Sequence, residues 1–274
     1  MRNIISQTVP LQFDTGFSPY HAVAWQAAFS SLCAHGFTGV EIAVAYPQLI
    51  DVDALNNCAK ENKLKITTIS TGQTYGRDGI YLASMDEGIR MRAMDIVRQH
   101  IDLSAKIGHP NVTIGLLRGR PETDIDTAEA ILSACIAELA EYAAQNNVML
   151  QIEPICAAET NLLNTVADVT RLLDGIGNPS HCGILFDIYH ASLMEKDVLD
   201  TFQSVASLVT NVHIADSDRG LPSFTKIDFS RILRHMVQLG YQGAFALETL
   251  CVPSREYVLK NEGRAQQKIR GAIE

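Results

Sequence analysis

Three carboxylates and an imidazole recur through the second half of the chain at one spacing. Glu153 sits in QIEP, Asp187 in ILFDIYH, His213 in NVHIADSD and Glu248 in FALETL. The intervals are 34, 26 and 35 residues, each about one strand-plus-helix unit. The four can therefore rise from consecutive strands and converge on one point. Such an oxygen-rich set suits a hard or borderline divalent cation with open positions, such as Mn²⁺, Co²⁺ or Mg²⁺. A closed structural zinc site would want cysteines. With no cation present, three carboxylates this close repel one another and their pKa values rise. Taken singly, an acid at a strand end is more often a helix N-cap or an ion-pair partner. The four matched positions together point to a metal.

Further candidates lie in the loops that follow these strands. His190, three residues after Asp187, can donate to a substrate oxygen. Arg219, in DSDRGLP, can hold a substrate hydroxyl or carboxylate. Glu159, six after Glu153, reads on its own as a solvated loop acid. Glu41, inside GVEIAV, is one more polar residue at a strand end, with no role assigned. Phe13, Phe17, Tyr20 and Trp25 cluster after the first strand, where core packing is favoured over an apolar wall for a sugar. His100, His109, His181 and His235 fall outside strand ends.

The elements that must position these residues follow one repeated pattern. Short β-branched, apolar runs at 3–8, 39–44, 64–70, 111–116, 148–153, 183–187, 210–215 and 243–248 read as strands. Helical patterns lie between them at about 21–35, 51–62, 86–107, 124–146, 164–175, 197–205, 228–239 and 254–270. Asp51, Asp126 and Asp228 are expected N-caps. Gly36, Gly108, Gly177 and Gly240 are expected stops. Strands alternating with helices pair in parallel, and eight such units match a closed (β/α)8 TIM barrel of the α/β class. A doubly wound sheet would want a glycine-rich phosphate loop after its first strand. VPLQFDTGFSPY is not one. No linker or low-complexity tract interrupts the chain, so residues 1–274 read as a single domain. The longest irregular stretch is 71–85, after strand 3, and is a candidate lid.

Composition narrows the partners. The 274 residues are 47% hydrophobic, enough for a sizeable core, and 31 acids against 22 bases leave a net charge of -9. That balance disfavours nucleic acid and anionic lipid. Six scattered cysteines, none at CxxC spacing, read as reduced thiols. No stretch approaches a membrane span, and no targeting segment is evident. A cytoplasmic protein is the expectation.

With these residues in place, the chain resembles the xylose-isomerase-like barrels, a group of sugar isomerases and epimerases that also contains endonuclease IV. The stretch QIEPxxxxE, FDIYH, VHIADSDR and ALE is similar to the ketose 3-epimerase and hydroxypyruvate isomerase branch. The resemblance implies that Glu153, Asp187, His213 and Glu248 hold one divalent ion, Mn²⁺ foremost, with Co²⁺, Mg²⁺ or Zn²⁺ as alternatives. It implies that Glu159, His190 and Arg219 contact a small-molecule sugar, and that the protein is a homodimer or homotetramer. It also implies chemistry next to a carbonyl through an enediolate, with Glu153 and Glu248 as catalytic bases on opposite faces of one carbon. The first expectation is a ketose 3-epimerase. The alternatives are an aldose–ketose isomerase like hydroxypyruvate isomerase, a metal-dependent sugar dehydratase, and a non-catalytic sugar-binding barrel. An endonuclease IV-like site would need more histidines at strand ends and a basic groove. One segment departs from the family. Relatives follow the arginine with Pro-Gly-x-Gly, whereas this chain has RGLPSFTK. The departure is expected to reshape one wall of the pocket.

Overall fold

The alternating pattern closes on itself. The computed structural model describes residues 3–121 and 124–274. Among them, eight parallel strands form a closed barrel in chain order. They are β1 (Ile4–Pro10), β2 (Gly39–Ala43), β3 (Lys65–Ser70), β4 (Asn111–Ile114), β5 (Leu150–Ile152), β6 (Cys182–Asp187), β7 (Val209–Ile214) and β8 (Ala244–Leu247). The helices on the outside are α1 (Trp25–Ala34), α2 (Val52–Glu61), α3 (Gly72–Asp78), α4 (Glu87–Lys106), α5 (Ile125–Gln145), α6 (Val166–Gly175), α7 (Ile188–Met194), α8 (Val198–Val205), α9 (Phe229–Gln238) and α10 (Arg255–Ile273). β1 pairs with both β2 and β8, so no sheet edge is left open.

Local chemistry sets most of the boundaries. Asp51 and Asp228 cap α2 and α9 by accepting from the backbone N–H groups of Ala54 and Arg231. The four expected stop glycines all sit at left-handed φ, between 84° and 94°. Three expectations need correction. Asp124, not Asp126, caps α5, because its carboxylate reaches the N–H of Thr127 while Asp126 lies in the first turn. Part of the stretch 71–85 is helical. Thr74 Oγ1 donates to the Ala45 carbonyl at 2.9 Å, anchoring α3 to the end of β2, and Gly79 ends it at φ 62°. Residues after β6 form α7, because Asp187 accepts from the N–H groups of Tyr189 and His190 and so starts a helix.

The barrel interior is more polar than a typical packed barrel core. Asn111, Thr113, Gln151 and Thr210 are joined by hydrogen bonds of 2.8–2.9 Å. Val112, Ile114, Ile152, Val212 and Ile214 belong to the apolar core instead. Two one-residue register shifts break the ladders, one between β2 and β3 just before Glu41 and one between β6 and β7. The six cysteines are free. No helix among the described residues is long and apolar enough to cross a membrane.

Candidate metal centre and active site

Each member of the acid–imidazole set sits where a strand delivers it. Glu153 and Glu248 immediately follow β5 and β8, Asp187 ends β6, and His213 is the penultimate residue of β7. Asp187 and His213 are direct partners in the β6–β7 ladder. The four offer ligand atoms that all lie within 4.8 Å of one another. His213 Nδ1 is 3.4 Å from Glu248 Oε2, 3.5 Å from Glu153 Oε1 and 3.9 Å from Asp187 Oδ2. Glu153 Oε1, Asp187 Oδ2 and His213 Nδ1 are buried without a hydrogen-bond partner. Buried polar atoms are rarely left in that condition. Three such atoms aimed at one point, with the Glu248 carboxylate beside them, fit a divalent cation. Gly115 makes room for the cradle, because a Cβ there would lie 2.9 Å from Glu153 Oε2.

The expected rise of crowded carboxylates holds for Glu153 and fails for Glu248. Burial pushes the Glu153 carboxyl up from its usual range, and the charge of Glu248 adds to this against the pull of His213. Burial acts on Glu248 in the same sense, but His213 and Arg219 outweigh it and bring that carboxyl down to about 2. Burial would lower the His213 ring, yet Glu41, Glu248 and Glu153 together hold it well above the usual imidazole range.

A cavity of about 190 Å³ opens over this cluster. Glu153, Glu159, His190, Arg219 and Glu248 all line it. Glu159 is therefore not a solvated loop acid: it is ion-paired with Arg219 Nη1. Arg219 Nη2 lies 3.3 Å from His190 Nε2 and 3.7 Å from Glu248 Oε2. Its guanidinium also covers the Phe17 ring at 4.4 Å. On its other side, His190 Nδ1 lies 3.3 Å from the Cys156 backbone nitrogen. All seven residues singled out in the sequence thus meet at one end of the barrel. Of the four aromatics after β1, Phe17 lines the cavity. Trp25 packs edge-on against Phe29, Phe13 against Tyr46, and the Tyr20 hydroxyl bonds the buried Glu262.

The departure at 223–225 lies outside the lining of the cavity. Ser223 donates through both its N–H and its hydroxyl to Asp216, and Phe224 packs on Phe229 with Lys268 above it. None of the three lines the cavity. Residues without a role in the sequence reading do appear there. Gln73, on α3, lines the cavity with its Oε1 unpartnered. Glu41 meets the far side of the His213 ring. The signal for Glu41 was an acid inside an apolar strand. For Gln73 there was none beyond its loop.

The model of the xylose isomerase-like TIM barrel family matches residues 29–271. The chain belongs to that family. Its relatives in the xylose isomerase-like family include sugar 3-epimerases. A probable ketose 3-epimerase of Synechocystis sp. is 26% identical over 230 residues, 81% of this chain and 77% of that one. The L-ribulose 3-epimerase of Methylomonas sp. is 24% identical over 244 residues, 84% of this chain and 82% of its own length. A solved structure of L-ribulose 3-epimerase superposes with a TM-score of 0.84 at 21% identity, covering 99% of this chain and 95% of that one.

Proposed function

We propose that this xylose isomerase-like barrel is a divalent-metal-dependent ketose 3-epimerase. The observation that carries the reading is the tetrad of Glu153, Asp187, His213 and Glu248, with three buried ligand atoms unpartnered, set under a cavity. The activities of the relatives support it. A cation held by the tetrad supplies positive charge where a carbonyl oxygen gains electron density as the adjacent C–H bond gives up its proton. Mn²⁺ is the first choice, on the donor set.

The chain's own residues do the rest. Glu153 and Glu248 both line the cavity and come from strands three apart in the ring. One takes a proton from a carbon between them and the other returns one to the opposite face, which inverts that carbon. His190, on the cavity wall, contacts a substrate oxygen. Arg219, clamped by Glu159 and stacked on Phe17, presents its remaining N–H groups to a hydroxyl.

The test is a panel of free ketoses, ketose phosphates and hydroxypyruvate, incubated with the Mn²⁺-loaded protein in deuterated solvent and followed by NMR. Deuterium at C3 of a ketose, with the C3 epimer as product, is the expected result. Exchange at C1 instead would make it an aldose–ketose isomerase, and loss of water a dehydratase. No exchange at any carbon would overturn the reading.

A further inference from the structure

An acid outside the tetrad governs how the tetrad is presented. Glu41 is fully buried on β2, across the barrel from β7. Its Oε2 lies 3.0 Å from His213 Nε2, the nitrogen that faces away from Glu153, Asp187 and Glu248. Every other contact of this carboxylate is also a donor. Oε1 accepts from Ser70 Oγ at 2.6 Å, and Oε2 accepts from Asn211 Nδ2 at 3.3 Å. Asn211 Nδ2 is shared with Thr68 Oγ1 at 3.2 Å, so the amide is itself held. The β2–β3 ladder pairs Val40 with Ile66 and then Glu41 with Thr68, skipping one residue. Such a shift re-aims the side chains beside it. Here it falls at the one position in β2 that carries an acid.

We infer that Glu41 is the positioning residue for His213. Accepting the Nε2–H, it leaves the Nδ1 lone pair directed at the cation site. The other neutral tautomer would aim a proton at that site and set a ring lone pair against a carboxylate. Glu41 is not a ligand itself, because the ring stands between it and the three carboxylates. A buried carboxylate is costly unless well paired, and the Glu41 carboxylate is met by the His213 ring, Ser70 and Asn211. This role rests on the metal centre proposed above.

Two measurements test it. The first is calorimetric titration of Mn²⁺ and Co²⁺ into metal-free wild type, Glu41→Gln, Glu41→Leu, and each of these combined with His213→Ala. Glu41→Gln and Glu41→Leu should bind either ion roughly 10–100-fold more weakly than wild type. In the His213→Ala background the same changes should cost less than about twofold, since the ring they act through is gone. A loss that persists in that background would show Glu41 acting only as a general negative charge, and would overturn the inference. The second needs only wild type. Its Co²⁺-loaded form should show a paramagnetically shifted, slowly exchanging ring N–H in proton NMR. Absence of that signal would refute the assigned tautomer even if neither variant folds. If wild type binds neither ion, the metal centre itself fails. If wild type binds and the folded variants match it, only the role of Glu41 fails.

Discussion

Asp187 divides its two oxygens between scaffold and site. Oδ1 accepts from the N–H groups of Tyr189 and His190, while Oδ2 faces His213 Nδ1 with no hydrogen-bond partner. The ordinary reading of an acid at a strand end, a helix cap, is therefore correct here without excluding a ligand. Asp187→Asn should separate the two. Asparagine caps as well as aspartate, so the melting temperature of the metal-free protein should hold, while affinity for Mn²⁺ drops at least about tenfold. Loss of folding in that variant would contradict the division. Glu153→Gln and Glu248→Gln should each lower turnover by about 10²–10⁴-fold. His190→Ala and Arg219→Ala should instead raise KM, with the bound metal retained. Both expectations are checked by steady-state kinetics alongside metal analysis.

At the scale of elements, the loops carrying Glu153 and Glu159 are held by a residue with no part in the chemistry. Arg118, fully buried after β4, donates to the carbonyls of Ile114, Gly115, Leu162 and Leu163 at 2.9–3.2 Å, and also to that of Glu153. Burial pushes its pKa down to about 10, with the charge of Glu153 working the other way. One guanidinium thus ties the end of β4 to the segment that leaves β5. Arg118→Met strands several buried carbonyls, each worth about 1–3 kcal/mol when unsatisfied. Thermal or urea unfolding should show a loss of at least about 3 kcal/mol. Arg118→Lys should fall between, because an ammonium cannot span the same fork. Unchanged unfolding in the methionine variant would remove this pin from the account.

Across the whole molecule, folding and metal loading are linked through His213. Burial alone would lower the ring's pKa, but Glu41 and the neighbouring carboxylates hold it raised in the metal-free protein. A histidine raised in this way contributes stability that is complete below the unfolded value of about 6.5 and is lost as pH climbs through the higher folded value. A cation at Nδ1 requires the ring to give up that proton. The metal-free barrel should therefore weaken as pH rises from about 6 to about 8.5, while the gain in melting temperature on adding Mn²⁺ grows. Chelation with EDTA should reverse the gain. A gain equal at both ends of that range would contradict the linkage. The eight strand–helix units, the tetrad's spacing, the caps Asp51 and Asp228 and the four stop glycines were legible in the linear chain, because periodicity, turn residues and intervals are local properties. The pairing of Glu41 with His213, 172 residues apart, was not. Neither were the carbonyls gathered by Arg118, the helix within 71–85, or the turning of 223–225 away from the cavity. The first depends on closure of the barrel and a one-residue register shift, the others on contacts between loops far apart in the chain. Such shifts move a side chain from one face to the other without leaving a mark in composition or period.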